Sequence, residues 1–445
     1  MKIKILQILS VTMMLSITTQ AAEITNEAKI SGQIRSFSIA RSLDFSQKDD
    51  YTRSANAIGG FLKYETADFY GFHLGGAFYT TNGFALKSDK ANNPKVDPTL
   101  LGVDNKSYTI LGEAYLEYKY KNTELKLGRQ KLNTPLAGAD DGRMLPNLFH
   151  AYTLTNTDIE DTKIFISHAT HFAQGTFGRI YSAQAGQIGA QILSATAAYS
   201  AVDSKNQVGE FVNIGTYALG TKTDGLSIAS LTYSGVKGLK LQAWDYYAHD
   251  ILNAIYLQAD YKLDMSETIK PFVAMQYIKE NDAGKRLLKN MGGDGKLDSD
   301  YFAIKLGVDI ENFNTYIAHS RVSANDVTDP VYANATITMW GGMPAFIQGM
   351  LTRLAGTKAS KVHTAYNFEQ VLVTASYAKF IMDKNNGWTY GNASEIDLSA
   401  TYKPSFVKNL ELKARATYAN DFLVMNANGG TLSWDEYHFI VKYNF

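Results

Sequence analysis

Near the C-terminal end of the chain, polar and apolar side chains alternate. Glu411, Lys413, Arg415 and Thr417 share one face of an extended segment, and Leu410, Leu412, Ala414, Ala416 and Tyr418 share the other. The same alternation sets Gln33 and Arg35 apart from Ile34, with Arg41 following, and places Lys63 amid Phe61, Leu62 and Tyr64. A row of fixed cations along a wall attracts carboxylates and offers them successive weak sites. The plainer reading is a wet wall whose charges are merely solvated. Bond-making chemistry finds less support. The chain has no Gly-x-Ser-x-Gly elbow, no His-Glu-x-x-His and no phosphate-binding Gly-x-x-x-x-Gly-Lys-Ser/Thr. His168 and His171 are three apart, which on a regular strand puts them on opposite faces and argues against a metal pair. Asp294, Asp298 and Asp300 beside Gly292, Gly293 and Gly295 lack the spacing of an EF-hand, so a solvated loop is the simpler reading and a surface divalent cation the other.

The elements that must carry these faces have a period of two. From Ser107 to Lys121, Tyr108, Ile110, Gly112, Ala114, Leu116, Tyr118 and Tyr120 fall on one side, with Thr109, Glu113, Glu117, Lys119 and Lys121 mainly on the other. That is a strand pattern. It recurs at Ala57–Thr66, Phe72–Thr80, Thr123–Leu132, Thr162–His171, Ser227–Tyr233, Leu239–Tyr247, Ile255–Leu263, Thr268–Ile278, Phe302–Ile310, Thr315–Val322, Gln370–Phe380, Glu395–Lys403, Leu410–Tyr418 and Trp434–Phe445. Some joints are short and turn-rich (67–71, 121–123, 234–238, 311–313), and others are long (82–106, 281–298, 341–361). Short turns at one end and long loops at the other predict an all-β fold, a transmembrane antiparallel β-barrel. Its periplasmic turns are short, and its long extracellular loops fold partly into the lumen. The count falls at roughly 16 to 19 strands and settles on about 18, since bacterial single-chain barrels have even numbers. In the 341–361 loop, Phe346, Ile347, Met350, Leu351 and Leu354 suit a short helix folded back into the lumen.

A barrel is what the bilayer demands of such strands. Every backbone N–H and C=O within hydrocarbon must be paired inside the protein, and a sheet manages this only by closing on itself. The remaining features agree. Lys2 and Lys4, the apolar run Ile5 to Ile17, and Thr19-Gln20-Ala21 predict a signal peptide over residues 1–21, cleaved after Ala21 and leaving residues 22–445 as one barrel domain. Losing two lysines leaves 41 basic residues against 43 acidic, a balance that argues against nucleic acid as a partner. There is no cysteine, hence no disulfide framework. Charged residues make up 19%, below the ~25% usual for soluble domains. The charge-free stretches 180–202 and 331–352 are too polar for spanning helices.

The last strand is the sharpest single signal. Tyr437, Phe439, Val441, Tyr443 and Phe445 lie on one face; Glu436, His438, Lys442 and Asn444 lie on the other, with Ile440 the exception. The strand resembles the C-terminal signal that the barrel-assembly machinery reads during insertion.

Two further blocks carry a family resemblance. Leu127-Gly128-Arg129-Gln130-Lys131-Leu132-Asn133-Thr134-Pro135 and Asp140-Asp141-Gly142-Arg143-Met144-Leu145-Pro146-Asn147-Leu148-Phe149 resemble the signature of the OprD family of outer-membrane porins. Arg35-Ser36-Phe37 with Arg41, Gly59 to Glu65, and Trp340-Gly341-Gly342-Met343-Pro344 resemble weaker blocks of that family. The resemblance spans nearly all the mature chain. It implies a Gram-negative outer-membrane barrel, monomeric or loosely trimeric, narrowed by inward-folded loops. A basic ladder would stand on one side and an acidic pocket opposite. Matched by position, Arg35, Arg41, Arg129, Arg143, Lys413 and Arg415 are ladder candidates, and Asp140 and Asp141 candidates for the acidic side. Lys413 departs from the arginine such ladders often have, and lysine lacks the planar fork. Arg129 and Lys131 share the parity of Leu125 and Leu127, so they reach the lumen only through a bulge or at the strand's wet end.

The expected function is passive, mildly selective diffusion of small carboxylate-bearing solutes such as amino acids, short peptides and organic acids. It requires no cofactor. The surrounding partners would be outer-membrane lipid and lipopolysaccharide. The competing reading is a non-channel surface barrel, an adhesin or structural anchor. The chain is not expected to be an enzyme: a barrel enzyme would require a Ser/His pair on the lipid face, and the sequence reveals none.

Overall fold

The computed structural model describes residues 28–46, 51–83, 96–97, 99–101, 106–176, 208–291, 294–325, 340, 346–347, 350–386, 391–424 and 430–445. The expected signal peptide, the stretch 180–202 and most of 331–352 lie outside them.

Nineteen strands follow one another: β1 (Lys29–Phe45), β2 (Tyr51–Glu65), β3 (Phe72–Asn82), β4 (Tyr108–Tyr120), β5 (Thr123–Gln130), β6 (Leu148–Asn156), β7 (Thr162–Ala173), β8 (Val212–Asn213), β9 (Leu226–Tyr233), β10 (Leu239–Ala248), β11 (Leu252–Lys262), β12 (Ile269–Asp282), β13 (Asp298–Ile310), β14 (Phe313–Val322), β15 (Lys358–Phe368), β16 (Val371–Met382), β17 (Gly391–Tyr402), β18 (Leu410–Val424) and β19 (Thr431–Asn444). The two-residue β8 only extends the end of β7 and leads into a short helix, α1 (Ile214–Leu219). The other 18 form a closed antiparallel barrel, each paired with its chain neighbours. Closure comes from β1, which pairs with β2 on one edge and β19 on the other.

Alternation decides which side chain meets lipid. Leu62, Leu74, Leu116, Ile166, Leu257, Ile317, Val362 and Phe439 are exposed on the outer face. Between them, small or polar residues such as Ala77, Glu117, Ser167, Ala303, Ser320 and Ala359 are buried on the inner one. In the last strand Tyr437 and Phe439 point out, while Glu436, His438 and Ile440 point in. This is the reverse of a soluble sheet and the rule for a barrel in hydrocarbon, where a cation on the outer wall costs ~2–4 kcal/mol near the midplane.

At the seam, backbone bonds join Gly32 N to Phe445 O (2.9 Å) and Phe445 N to Gly32 O (3.1 Å). The Phe445 ring lies directly on Gly32: a Cβ there would stand 2.4 Å from the ring and 2.7 Å from the Phe61 carbonyl oxygen. Gly60, at φ +137°, meets the same strand from the other edge, its ideal Cβ falling 1.7 Å from the Gln33 carbonyl oxygen. Only glycine permits both approaches.

Two strands carry no clean alternation. In β6, Phe149 and Ala151 are buried, but the opposite face mixes His150 with Tyr152 and Leu154. In β15 the inner face holds Lys361 and His363. Their mixed faces hide both strands from a pattern search.

Candidate functional site

Long segments at one end of the barrel turn inward. From Lys131 to Asn147 the chain crosses the lumen. On the far wall, Leu136 N–H donates to Tyr246 Oη of β10 (3.3 Å). Mid-lumen, Gly138 N–H donates to the Trp340 carbonyl of the second inward segment (3.2 Å). On the near wall, Arg143 Nη2 donates to Glu436 Oε1 of β19 (3.2 Å). The second segment contributes Phe346, Ile347, Leu351 and Leu354, all buried, with a single 3-10 turn at Met350–Arg353. A third brings Leu100 and Leu101 against Phe37, Ile39 and Met144, and Asp97 to the arginines of the wall.

Arginines of β1 and β2 lock these segments to the wall. Arg41 Nε donates to Glu436 Oε2 (2.6 Å), and its Nη1 lies 3.2 Å from Asp97 Oδ2. Arg53 Nε approaches the same oxygen at 3.5 Å. Arg143 donates to Thr99 Oγ1 (3.1 Å), and its guanidinium lies over Phe37 at 5.5 Å. His438 Nε2 meets Glu436 Oε1 at 2.6 Å. Arg35 grips Asp141 with two bonds of 2.8 and 3.1 Å and also donates to the Arg143 carbonyl. Burial pushes the Asp97 carboxyl up, but Arg41 and then Arg53 outweigh it and hold it below its ordinary range.

One of the two acidic candidates departs from the expected layout. Asp141 is not opposite the basic side; it is bonded to Arg35. Asp140, at φ 44°, does open into the lumen. Protein nevertheless crowds it closely enough that burial pushes its carboxyl up to about 6, against the pull of Arg143 and Arg353.

Arg129 is not in the lumen. Register places it opposite Ala114 and His150, on the face of Leu125 and Leu127. No bulge interrupts β5 to turn it inward. Lys131 lies just beyond the strand end and does reach inward, toward Glu113 (3.9 Å) and over Phe61 (5.3 Å).

The second set of lumen cations sits on β13 to β18. One hydrogen-bonded row runs Arg41, Glu436, Thr417, Asp397, Ser376, His363, Tyr316 across neighbouring strands. One rung toward the long segments stand Lys305 and Lys361, both opposite Ala318. One rung the other way stands Arg415, followed by Lys413. Arg415 donates to Asp397 Oδ1 through Nη2 (2.6 Å) and Nε (3.1 Å). Among the described residues, Lys305, Lys361 and Lys413 have no carboxylate within ion-pair distance. Lys305 instead faces the Phe346, Tyr316 and Phe272 rings at 4.6, 5.5 and 5.6 Å. Sequence reasoning missed Asp97, Lys305, Lys361 and Asp397; the last was recoverable from its alternation with Ile396 and Leu398.

Asp298 and Asp300 both serve Lys279, and Asp294 pairs with Lys296. His168 and His171 share a face after all: a bulge between His150 and Ala151 leaves Thr170 as the extra residue, so His168 pairs with Tyr152 and His171 with His150.

The model of a family described as "outer membrane porin, OprD family" matches residues 26–445. No curated protein sequence matches. Solved structures do. Pseudomonas aeruginosa OccK9 (OpdG) aligns at 17% identity and TM-score 0.69, over 94% of this chain and 98% of that one. A BenF-like porin from Pseudomonas fluorescens Pf-5 aligns at 14% identity and TM-score 0.70, over 94% and 99%. Pseudomonas aeruginosa OccK2 (OpdF) in complex with glucuronate aligns at 16% identity and TM-score 0.65, over 94% and 98%.

Proposed function

The chain belongs to the OprD family of outer-membrane porins, and from that premise we propose that it selects small solutes bearing a carboxylate. The observation that carries this reading is the open cationic descent Lys305, Lys361, Arg415, Lys413 along one side of the lumen. A solute carboxylate exchanges water for successive ammonium and guanidinium contacts there, each weak enough to leave, and its own gradient drives it. The arginines of β1, β2 and the 131–147 segment act differently, holding the inward segments in place and setting the width. Asp140, facing the same space, gives a cationic group of an amino acid or peptide somewhere to point. Glucuronate, bound by OccK2, is itself a carboxylate.

Purified protein in planar bilayers should conduct, and liposomes carrying it should swell in isosmotic solutions of small organic acids faster than in neutral sugars of equal size. Absence of conductance would return the protein to the class of surface anchors. Arg415→Ala should lower carboxylate uptake relative to sugar uptake; an unchanged ratio would remove the basic track and leave the porin.

A further inference from the structure

Arg129 faces away from the lumen, and it has company. It pairs in register with His150, and His150 with His171. The histidines alternate with Phe149 and Phe172, whose buried rings pack edge to face at 5.1 Å on the inner side. All three polar side chains therefore lie on the outer surface. The two imidazoles are 5.9 Å apart between centroids. His168, brought to this face by the bulge, is joined through Ser227 Oγ to His249 (3.1 and 3.0 Å). Exposed Lys222 adjoins Thr223, whose backbone is bonded to the side chain of Asn213, the register partner of His171. Four of the eight histidines thus share one patch with two permanent cations.

A cationic patch on the lipid side of a barrel needs a reason. The Arg129 guanidinium rests on the Phe211 ring at 4.5 Å and donates one long bond to the Leu111 carbonyl (3.4 Å). The acidic residues nearest in sequence to Phe211 and Lys222, Glu210 and Asp224, are exposed, and among the described residues no ion pair joins either to Arg129 or Lys222. The patch occupies the last rungs before the long segments, beside outward-facing Tyr152 and Tyr247. Such tyrosines mark the level where hydrocarbon gives way to headgroups.

We propose that Arg129, His150, His171 and Lys222 form a docking site for the phosphate of an outer-leaflet lipid headgroup. The planar fork of arginine suits phosphate. The position on the lipid wall, at the headgroup level and facing away from the lumen, selects a membrane phosphate over a dissolved one. A protonated imidazole carries one more positive charge than a neutral one, while a phosphomonoester keeps at least one negative charge throughout.

The test titrates the full-length folded barrel in detergent with bisphosphorylated lipid A, and with the same lipid dephosphorylated, at pH 6 and pH 8. Wild type should bind the phosphorylated lipid several-fold more tightly at pH 6. Arg129→Gln should weaken binding about tenfold at both pH values. The double variant His150→Gln/His171→Gln should lose the pH dependence and retain the pH 8 affinity, which keeps the test decisive if Arg129→Gln does not fold. Single-channel conductance should be unchanged in each folded variant, separating this site from the pore. Equal affinity for the dephosphorylated lipid, or wild-type affinity in both variants, would overturn the site. Competition by millimolar inorganic phosphate as effective as by the lipid would overturn its assignment to the membrane.

Discussion

Arg41 of β1 and Lys413 of β18 face the same lumen from neighbouring sectors of the wall, and the fold treats them in opposite ways. Arg41 is 2% exposed, clasped by Glu436 and Asp97. Lys413 is only partly covered and has no carboxylate partner among the described residues. In the first sector arginine, carboxylate and loop backbone are buried against one another in close ion pairs. In the second the lysines are only half-buried and, among the described residues, have no carboxylate partner. A basic residue in a pore is therefore not by itself a solute contact: its partner decides whether it builds the wall or meets the traffic.

The largest test of that contrast is Glu436→Gln. It removes one carboxylate from Arg41, Arg143 and His438 together, and uncompensated buried charge of this kind costs ~3–5 kcal/mol. The folded band on unheated gels should vanish at markedly lower temperature than in wild type. Asp397→Asn, beside the half-open Arg415, should shift that temperature far less; equal shifts would erase the distinction between the sectors. The double variant Lys361→Gln/Lys413→Gln should leave thermal resistance intact. It should also lower the anion-to-cation permeability ratio, read as the reversal potential in a KCl gradient, by about two- to fivefold. The smallest effect concerns Asp140. Its raised carboxyl is charged above about pH 6 and neutral below, so the channel should become more anion-selective as pH falls from ~7.5 to ~5, across that midpoint. Asp140→Asn should remove that step, and a step that survives would place the titrating group elsewhere.

Much of the barrel is legible in the chain because the bilayer imposes its rule rung by rung: Leu116 must be apolar and Glu117 must not face lipid. The inner faces of Arg35, Arg415 and Lys413 follow from the same parity. What parity cannot reveal is partnership between residues far apart in the chain. Nothing near Arg41 in sequence announces Asp97 or Glu436, and nothing near Arg35 announces Asp141. Parity also fails silently wherever a residue is inserted. The bulge at Thr170 reverses the face of His171, while the absence of one in β5 keeps Arg129 outside. The lumen is therefore legible in the chain as a set of faces, and its division into locked and open sectors arises only from contacts between distant segments.

The seam has a consequence in time. Gln33 and Asn444 are bonded side chain to side chain although 411 positions separate them, and the register of β1 with β19 continues from there to Phe45 and Leu432. Until β19 and Phe445 reach β1, that strand has no second neighbour and the sheet is an unsealed ribbon with two sticky edges. Sealing must be the closing event of biogenesis, and loop-closure entropy over so long a chain makes it slow unless something holds the ends together. A chain lacking the segment from Tyr443 to Phe445 should accumulate as that ribbon, which makes the aromatic lying on Gly32 a latch.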